Sequence, residues 1–336
     1  MTRWGFTFPL NGIPLAQHRE VLREAEGLGY TDAWTLEVDG ADAFVPLALA
    51  AAWTRDLHLG TAISNVFTRG PATLAMTAAS MAEAAPGRFI LGVGASTHVI
   101  VENWNSGRLM RPVPRVHDMV TFLRKALSGE KVSVSLETLR VEGFRLSRPV
   151  TSPVPIFIAA LRSRMLKLAA SLGDGIILNW LSAADVAKVV AVARKAAQAA
   201  GRDPETLEMA CRIFVSASED PEESRRMARR FIAGYLTTPA YAKFQRWLGR
   251  GELLRPMMEA WLAGDRRSAL QLIPDAVVDD LIVFGDVGEC LEKIDAYCRQ
   301  GVTLPILYFL PTAVEPQEQA AQCLLALREL GKQGGR

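Results

Sequence analysis

LGTAISNVFTRGPATLAMTAASMAEAAPGRFILGVGAS, residues Leu59 to Ser96, is the stretch whose reading decides the fold. An apolar run enters a polar turn, a helix opened by Pro71 and rich in Ala follows, and a second apolar run closes on GVGAS. Two short buried strands on either side of one amphipathic helix predict a β-α-β unit. Its polar and flexible residues gather where each strand ends: Thr61, Ser64 and Asn65 after the first, Gly92, Gly94 and Ser96 after the second. In α/β folds those strand ends are where ligands bind.

The same rhythm extends outward in both directions. Upstream, strand-like runs at residues 3–8 and Thr31–Glu37 are followed by helical patterns over Leu15–Leu28 and Ala43–Trp53. Downstream, Pro155–Ala160, Asp174–Trp180, Leu207–Ala217 and Thr303–Leu310 read as strands alternating with helices. Helix–Gly–strand junctions recur at Gly29, Gly173 and Gly301. Three stretches leave the pattern: residues 97–112 as an aperiodic loop, 130–153 as a hairpin, and 237–275 as helices out of phase. LIVFG (Leu281–Gly285) is read as a connecting segment, with 303–310 as strand eight. Many parallel β-α units around one core predict a single (β/α)8 TIM barrel over residues 1–336, carrying those loop, hairpin and helical insertions. A doubly wound sheet is the competing architecture.

Composition narrows the function classes. A formal net charge of +2 leaves no electrostatic footprint for nucleic acid or an anionic membrane. No uncharged apolar stretch reaches the length of about 18 residues that a membrane helix needs, and no signal-peptide core precedes the first strand. Cys211, Cys290, Cys298 and Cys323 show no C-x-x-C pairing, which fits reduced thiols in a cytoplasmic protein.

Several chemistries lack their residues. GVGAST has Thr97 where a dinucleotide fingerprint needs its third glycine. His18, His58, His98 and His117 are scattered without metal-ligand spacing, although His98 falls in the loop after strand four, within reach of a strand-end pocket. G-x-S-x-G is absent, and Lys167, Lys188 and Lys195 fall within predicted helices, which disfavours a Schiff-base lysine. Glu37 ends strand two, where a carboxylate can exchange a proton with a ligand or simply open a solvated turn. Asn179 and Trp180 end strand six, an amide beside an indole that would suit a flat heteroaromatic ligand.

The pattern T-x-x-x-N-x-x-T-R-x-P-x-x-x-A (Thr61, Asn65, Thr68, Arg69, Pro71, Ala75), followed by PGRFILGVG (Pro86–Gly94), closely resembles the luciferase-like monooxygenase superfamily, most of all its coenzyme F420-dependent branch. WTLEVDGADAF (Trp34–Phe44), IFIAALRSRMLKLA (Ile156–Ala169) and DGIILNWLS (Asp174–Ser182) support it. The resemblance implies a bacterial luciferase-like barrel with the coenzyme at the C-terminal strand ends. It implies a non-prolyl cis peptide at Ala62–Ile63, in a segment Ala62, Ile63, Ser64 and Asn65 that backs the tricyclic ring. Gly94, Ala95, Ser96, Ala160 and Asn179 match positions that hold the ring edge, ribityl chain or phosphate. Glu37 matches the acid near the reactive ring edge. Val38 stands where the best-known deazaflavin enzymes have a histidine, which leaves Glu37 as the acid–base candidate. The implied activity is hydride transfer between F420 and a small organic substrate, carried out by a homodimer. The alternatives are an FMN-dependent monooxygenase using dioxygen and a non-catalytic flavin-binding barrel.

Overall fold

The computed structural model describes residues 3–334 except 217 and 219. Ala217, at the end of the seventh predicted strand, and Glu219, in the helix signal after it, lie outside the described residues. Eight parallel strands form the barrel: β1 (Gly5–Thr7), β2 (Asp32–Thr35), β3 (His58–Thr61), β4 (Phe89–Gly94), β5 (Ile156–Ala159), β6 (Gly175–Leu178), β7 (Glu208–Ser216) and β8 (Leu304–Leu310). Each pairs with the next, and β8 pairs with β1 through Gly5↔Ile306 and Phe6↔Leu307, which closes the ring. The doubly wound alternative, an open sheet, is excluded by that closure. Residues 303–310 are the eighth strand, as read. The LIVFG run supplies only a two-residue strand, Ile282–Val283, laid on the outer half of β7.

The helices follow in chain order: α1 (His18–Gly27), α2 (Val45–Trp53), α3 (Pro71–Ala84), α4 (Pro112–Leu127), α5 (Ser163–Leu172), α6 (Ala183–Ala199) and α7 (Pro221–Leu236). The out-of-phase region holds α8 (Pro239–Leu248), α9 (Gly251–Leu262) and α10 (Arg266–Gln271), and α11 (Asp275–Leu281), α12 (Val287–Arg299) and α13 (Pro316–Gly334) complete the chain. Local chemistry sets several starts. Ser182 and Asp185 form a reciprocal capping box on α6, as Asp286 and Glu289 do on α12, and Asp220 caps α7 through the Glu222 and Glu223 amides. The alternating run after residue 130 is an antiparallel hairpin, Val132–Ser135 with Arg140–Phe144. The stretch expected as a plain loop contains a π-helical turn, Val99–Trp104.

Two layers of apolar packing hold the barrel. Outside the strands, the helix faces bury residues such as Leu22, Leu47, Leu74, Met119, Phe122 and Val189. Inside, Trp34, Ile90, Phe157, Ile177, Ala210, Leu304 and Ile306 fill the lower lumen. Gly60 makes this possible, because a Cβ there would sit 2.4 Å from the Trp34 ring. The missing side chain on β3 is the room the indole of β2 occupies. The lumen is therefore plugged below, and any ligand space must lie above, at the C-terminal strand ends. All four cysteines are free, with Cys211, Cys290 and Cys323 buried. Among the described residues no helix is long and apolar enough to cross a membrane.

Candidate active site

A cavity of about 1080 Å³ opens at the C-terminal ends of the strands. Its wall includes Ala62, Ile63, Gly94, Ala95, Ser96, Ala160 and Asn179, seven of the nine residues matched to coenzyme contacts, together with Glu37. Ser64 and Asn65 do not line it. They form a two-residue strand paired with Val93 and Gly94 on the far side of Ile63, fully buried. There the Asn65 side-chain oxygen accepts the Phe67 amide, so these two residues brace the wall from behind. The Ala62–Ile63 peptide is cis, as the resemblance implied.

Thr61 and Gly92 hold that wall in place. Backbone pairing between β3 and β4 ends at Gly60–Ile90. Beyond it the Thr61 hydroxyl donates to the Gly92 carbonyl at 2.7 Å and accepts the Gly92 amide at 2.9 Å, continuing the ladder with a side chain. A Cβ on Gly92 would meet the Thr61 carbonyl oxygen at 1.8 Å. Gly92 and Gly94 both belong to β4, and neither has a positive φ. Close approach is the reason for a glycine at position 92. Past the strand ends, Ser96 (φ 61°) and Trp180 (φ 58°) adopt left-handed backbone conformations uncommon for their residue types.

Glu37 is not a lone carboxylate. Arg69 Nε donates to it at 3.0 Å, an Arg69 Nη bonds the same oxygen, and the Asn65 amide donates to the other at 3.1 Å. Arg69 also pairs with Asp42 and lies over the Phe44 ring, 4.7 Å from its centroid. Burial alone would raise the Asp42 carboxyl, but the Val45 and Phe44 amides and Arg69 hold it below the ordinary range. Burial works against the Arg69 charge, yet its bonds to Glu37 and Asp42 more than compensate and raise it. Glu37 thus presents a positioned, ion-paired edge to the cavity.

Trp180 does not reach the ligand space. It is buried against Phe214, Tyr235 and Phe231, with ring centroids 4.4, 4.9 and 5.2 Å away. Its left-handed backbone carries the indole into the layer between the barrel and α7, leaving Asn179 alone of the pair at the wall. His98 also stays off the wall, since the chain enters the π-helical turn there. His18 is fully buried and serves the first loop: its Nε2 accepts the Leu10 amide at 2.8 Å, and its Nδ1 lies 3.1 Å from the Pro14 carbonyl.

Several wall residues escaped the sequence reading. Arg212, on β7, bonds the Ala62 carbonyl, 150 positions away in the chain. Its signal was present as the single charge inside the apolar run Met209–Ser216. Tyr235 reaches the cavity from α7, and Tyr241, Lys243 and Arg246 reach it from α8, within the out-of-phase insertion, which carried no motif. Burial pushes both tyrosine hydroxyls up; the Asn179 amide, 3.3 Å from the Tyr241 oxygen, and the Arg212 charge oppose this at Tyr241. Arg162 and Arg164 stand at the start of α5, whose N-terminus has no side-chain cap.

Together the closed parallel barrel, its plugged lower lumen and its polar-edged mouth cavity define an enzyme of the (β/α)8 class with its site at the C-terminal face. The particular family follows from sequence: the luciferase-like monooxygenase model matches residues 5–304, and the chain belongs to that family. It is 26% identical over 329 residues to a Mycobacterium tuberculosis protein named "Putative coenzyme F420-dependent oxidoreductase", with 90% of this chain and 92% of that one covered. Among solved structures, the coenzyme F420 dependent tetrahydromethanopterin reductase from Methanopyrus kandleri superposes with a TM-score of 0.78 at 19% identity, covering 98% of this chain and 97% of that one. The oxygenating constituent of 3,6-diketocamphane monooxygenase from Pseudomonas putida, in complex with FMN, gives 0.68 at 17% identity, with 99% and 97% covered. At those identities the two structures speak for the fold alone.

Proposed function

We propose that this protein is an oxidoreductase that binds coenzyme F420 in the mouth cavity and moves a hydride between it and a small organic substrate. One observation carries the reading. Arg162, Arg164, Lys243 and Arg246 line the cavity and form no ion pair among the described residues, while its one acidic wall residue, Glu37, is already paired with Arg69. Such a surplus of cations fits an anionic ligand, and the uncapped start of α5 adds free amides suited to a phosphate. The small side chains of Ala62, Gly94, Ala95, Ala159 and Ala160 keep that part of the lining free of bulk, which suits a flat tricyclic ring. F420 combines such a ring with a phosphodiester and a carboxylate-bearing tail. FMN carries a single phosphate, so four unpaired cations favour F420. The named relative points the same way.

When bound, the deazaflavin supplies a carbon that gives or takes a hydride. The chain's own residues supply placement and proton handling. Ala62 and Ile63 back the ring, Arg162 and Arg164 anchor the anionic part, and Tyr235 of α7 and Tyr241 of the insertion cover the substrate side. Glu37, oriented by Arg69 and the Asn65 amide, is the residue proposed to exchange the proton that accompanies the hydride. The test is titration of the coenzyme-free protein with F420 and with FMN, followed by fluorescence and thermal shift. F420 binding in the micromolar range or tighter supports the reading. Tight FMN binding without F420 binding overturns it in favour of an FMN-dependent monooxygenase.

A further inference from the structure

The cavity floor carries one cation that this reading leaves unused. Arg212 stands in β7 two residues after Ala210, which faces the barrel lumen, and is only 7% exposed. One Nη donates to the Ala62 carbonyl, while Nε is buried with no partner. Its guanidinium forms no ion pair among the described residues, and Glu37 is taken by Arg69. A buried charge in this state is costly unless an opposite charge reaches it. Beside it, the Tyr241 oxygen accepts from Asn179, which leaves the Tyr241 O–H to donate into the cavity.

We infer that Arg212 is a binding residue for an anionic oxygen of the ligand, of the ionised carboxylate or enolate type, held at the cavity floor with Tyr241 as a second donor. Two sources share that chemistry. One is a carboxylate on the substrate, which would make the substrate class a small organic acid. The other is the ionised ring oxygen of the reduced coenzyme, and only this source rests on the proposed function. The guanidinium is anchored by the Ala62 carbonyl, so its fork is oriented before any ligand arrives.

The experiment has two arms, run on wild type, Arg212→Met and Arg212→Lys, with circular dichroism to verify folding. In the first, the coenzyme-free protein is titrated with acetate and benzoate against acetamide and benzamide. In the second, it is titrated with oxidised and reduced F420. The expected result is that in at least one arm the anion binds tenfold or more tighter than its less charged counterpart. Arg212→Met should abolish that preference through a loss of about 10- to 100-fold, and Arg212→Lys should weaken it by at least about threefold. A preference in the first arm identifies a substrate acid, and one confined to the second identifies the coenzyme ring. Absence of an anion preference in both arms of the wild type overturns the inference. So does a preference unchanged in either folded variant. A protein that binds F420 in neither form fails the functional reading, and the carboxylate arm then decides Arg212 alone.

Discussion

Thr61→Val is the sharpest perturbation of the wall that backs the proposed ring. The two side chains have nearly the same shape, so the substitution removes a hydroxyl and little packing. Thr61 is fully buried, and its hydroxyl satisfies two backbone groups at once, the Gly92 carbonyl at 2.7 Å and the Gly92 amide at 2.9 Å. Water cannot replace it, because the Gly92 backbone lies directly against the Thr61 carbonyl. Leaving a buried donor or acceptor unsatisfied costs about 1–3 kcal/mol each, so the variant, with two such groups, should lose about 2–6 kcal/mol. Urea unfolding followed by tryptophan fluorescence measures this, with Thr61→Ser as the control that keeps the hydroxyl. Coenzyme affinity should fall with stability, since Ala62 and Ile63 follow immediately in the chain. A Thr61→Val midpoint within about 0.5 kcal/mol of wild type refutes the argument. So does a Thr61→Ser variant as unstable as Thr61→Val.

Other perturbations test separate parts of the molecule. Glu37→Gln should lower turnover about 10²-fold or more while coenzyme affinity stays nearly intact, read by steady-state kinetics beside direct titration; wild-type turnover would remove Glu37 from the mechanism. Arg250 is buried between Asp185 at 2.7 Å and Asp280 at 2.9 Å and ties the insertion to the start of α6. Arg250→Met should cost about 3–5 kcal/mol in a denaturant series, because Asp185 is left largely buried without its partner. Burial lowers the His18 pKa against the opposing pull of the Pro14 carbonyl, so the folded protein binds a proton there less readily than the unfolded chain. The stability His18 contributes is therefore complete above the unfolded value, near 6.5, and is lost as pH falls below it toward the folded value. Wild type should lose more stability than His18→Gln between pH 7.5 and 5, by at most about 1.4 kcal/mol per pH unit, and parallel pH profiles would refute this.

Much of the scaffold was legible because its signals are local. Short apolar strands alternating with amphipathic helices report a parallel barrel through burial alone, and the Leu59–Ser96 motif located the wall of the cavity. The pairing of Glu37 with Arg69 was not legible, although both residues were in view. They lie 32 positions apart on successive strand-end loops, and only the parallel pairing of β2 with β3 sets those loops side by side. Trp180 misled for a related reason: position at a strand end predicts the cavity, but a left-handed backbone sent the indole into the helix layer.

The sequence by itself determined the barrel, its family and the segment around Ala62–Ile63, because periodicity, turn residues and a contiguous motif need no knowledge of distant contacts. Tertiary structure alone decided the electrostatics of the site. Arg212 meets Ala62 across the barrel, and Tyr241, Lys243 and Arg246 arrive from an insertion that no strand rhythm places. Charge interactions depend on distance and burial in space, and a linear sequence states neither.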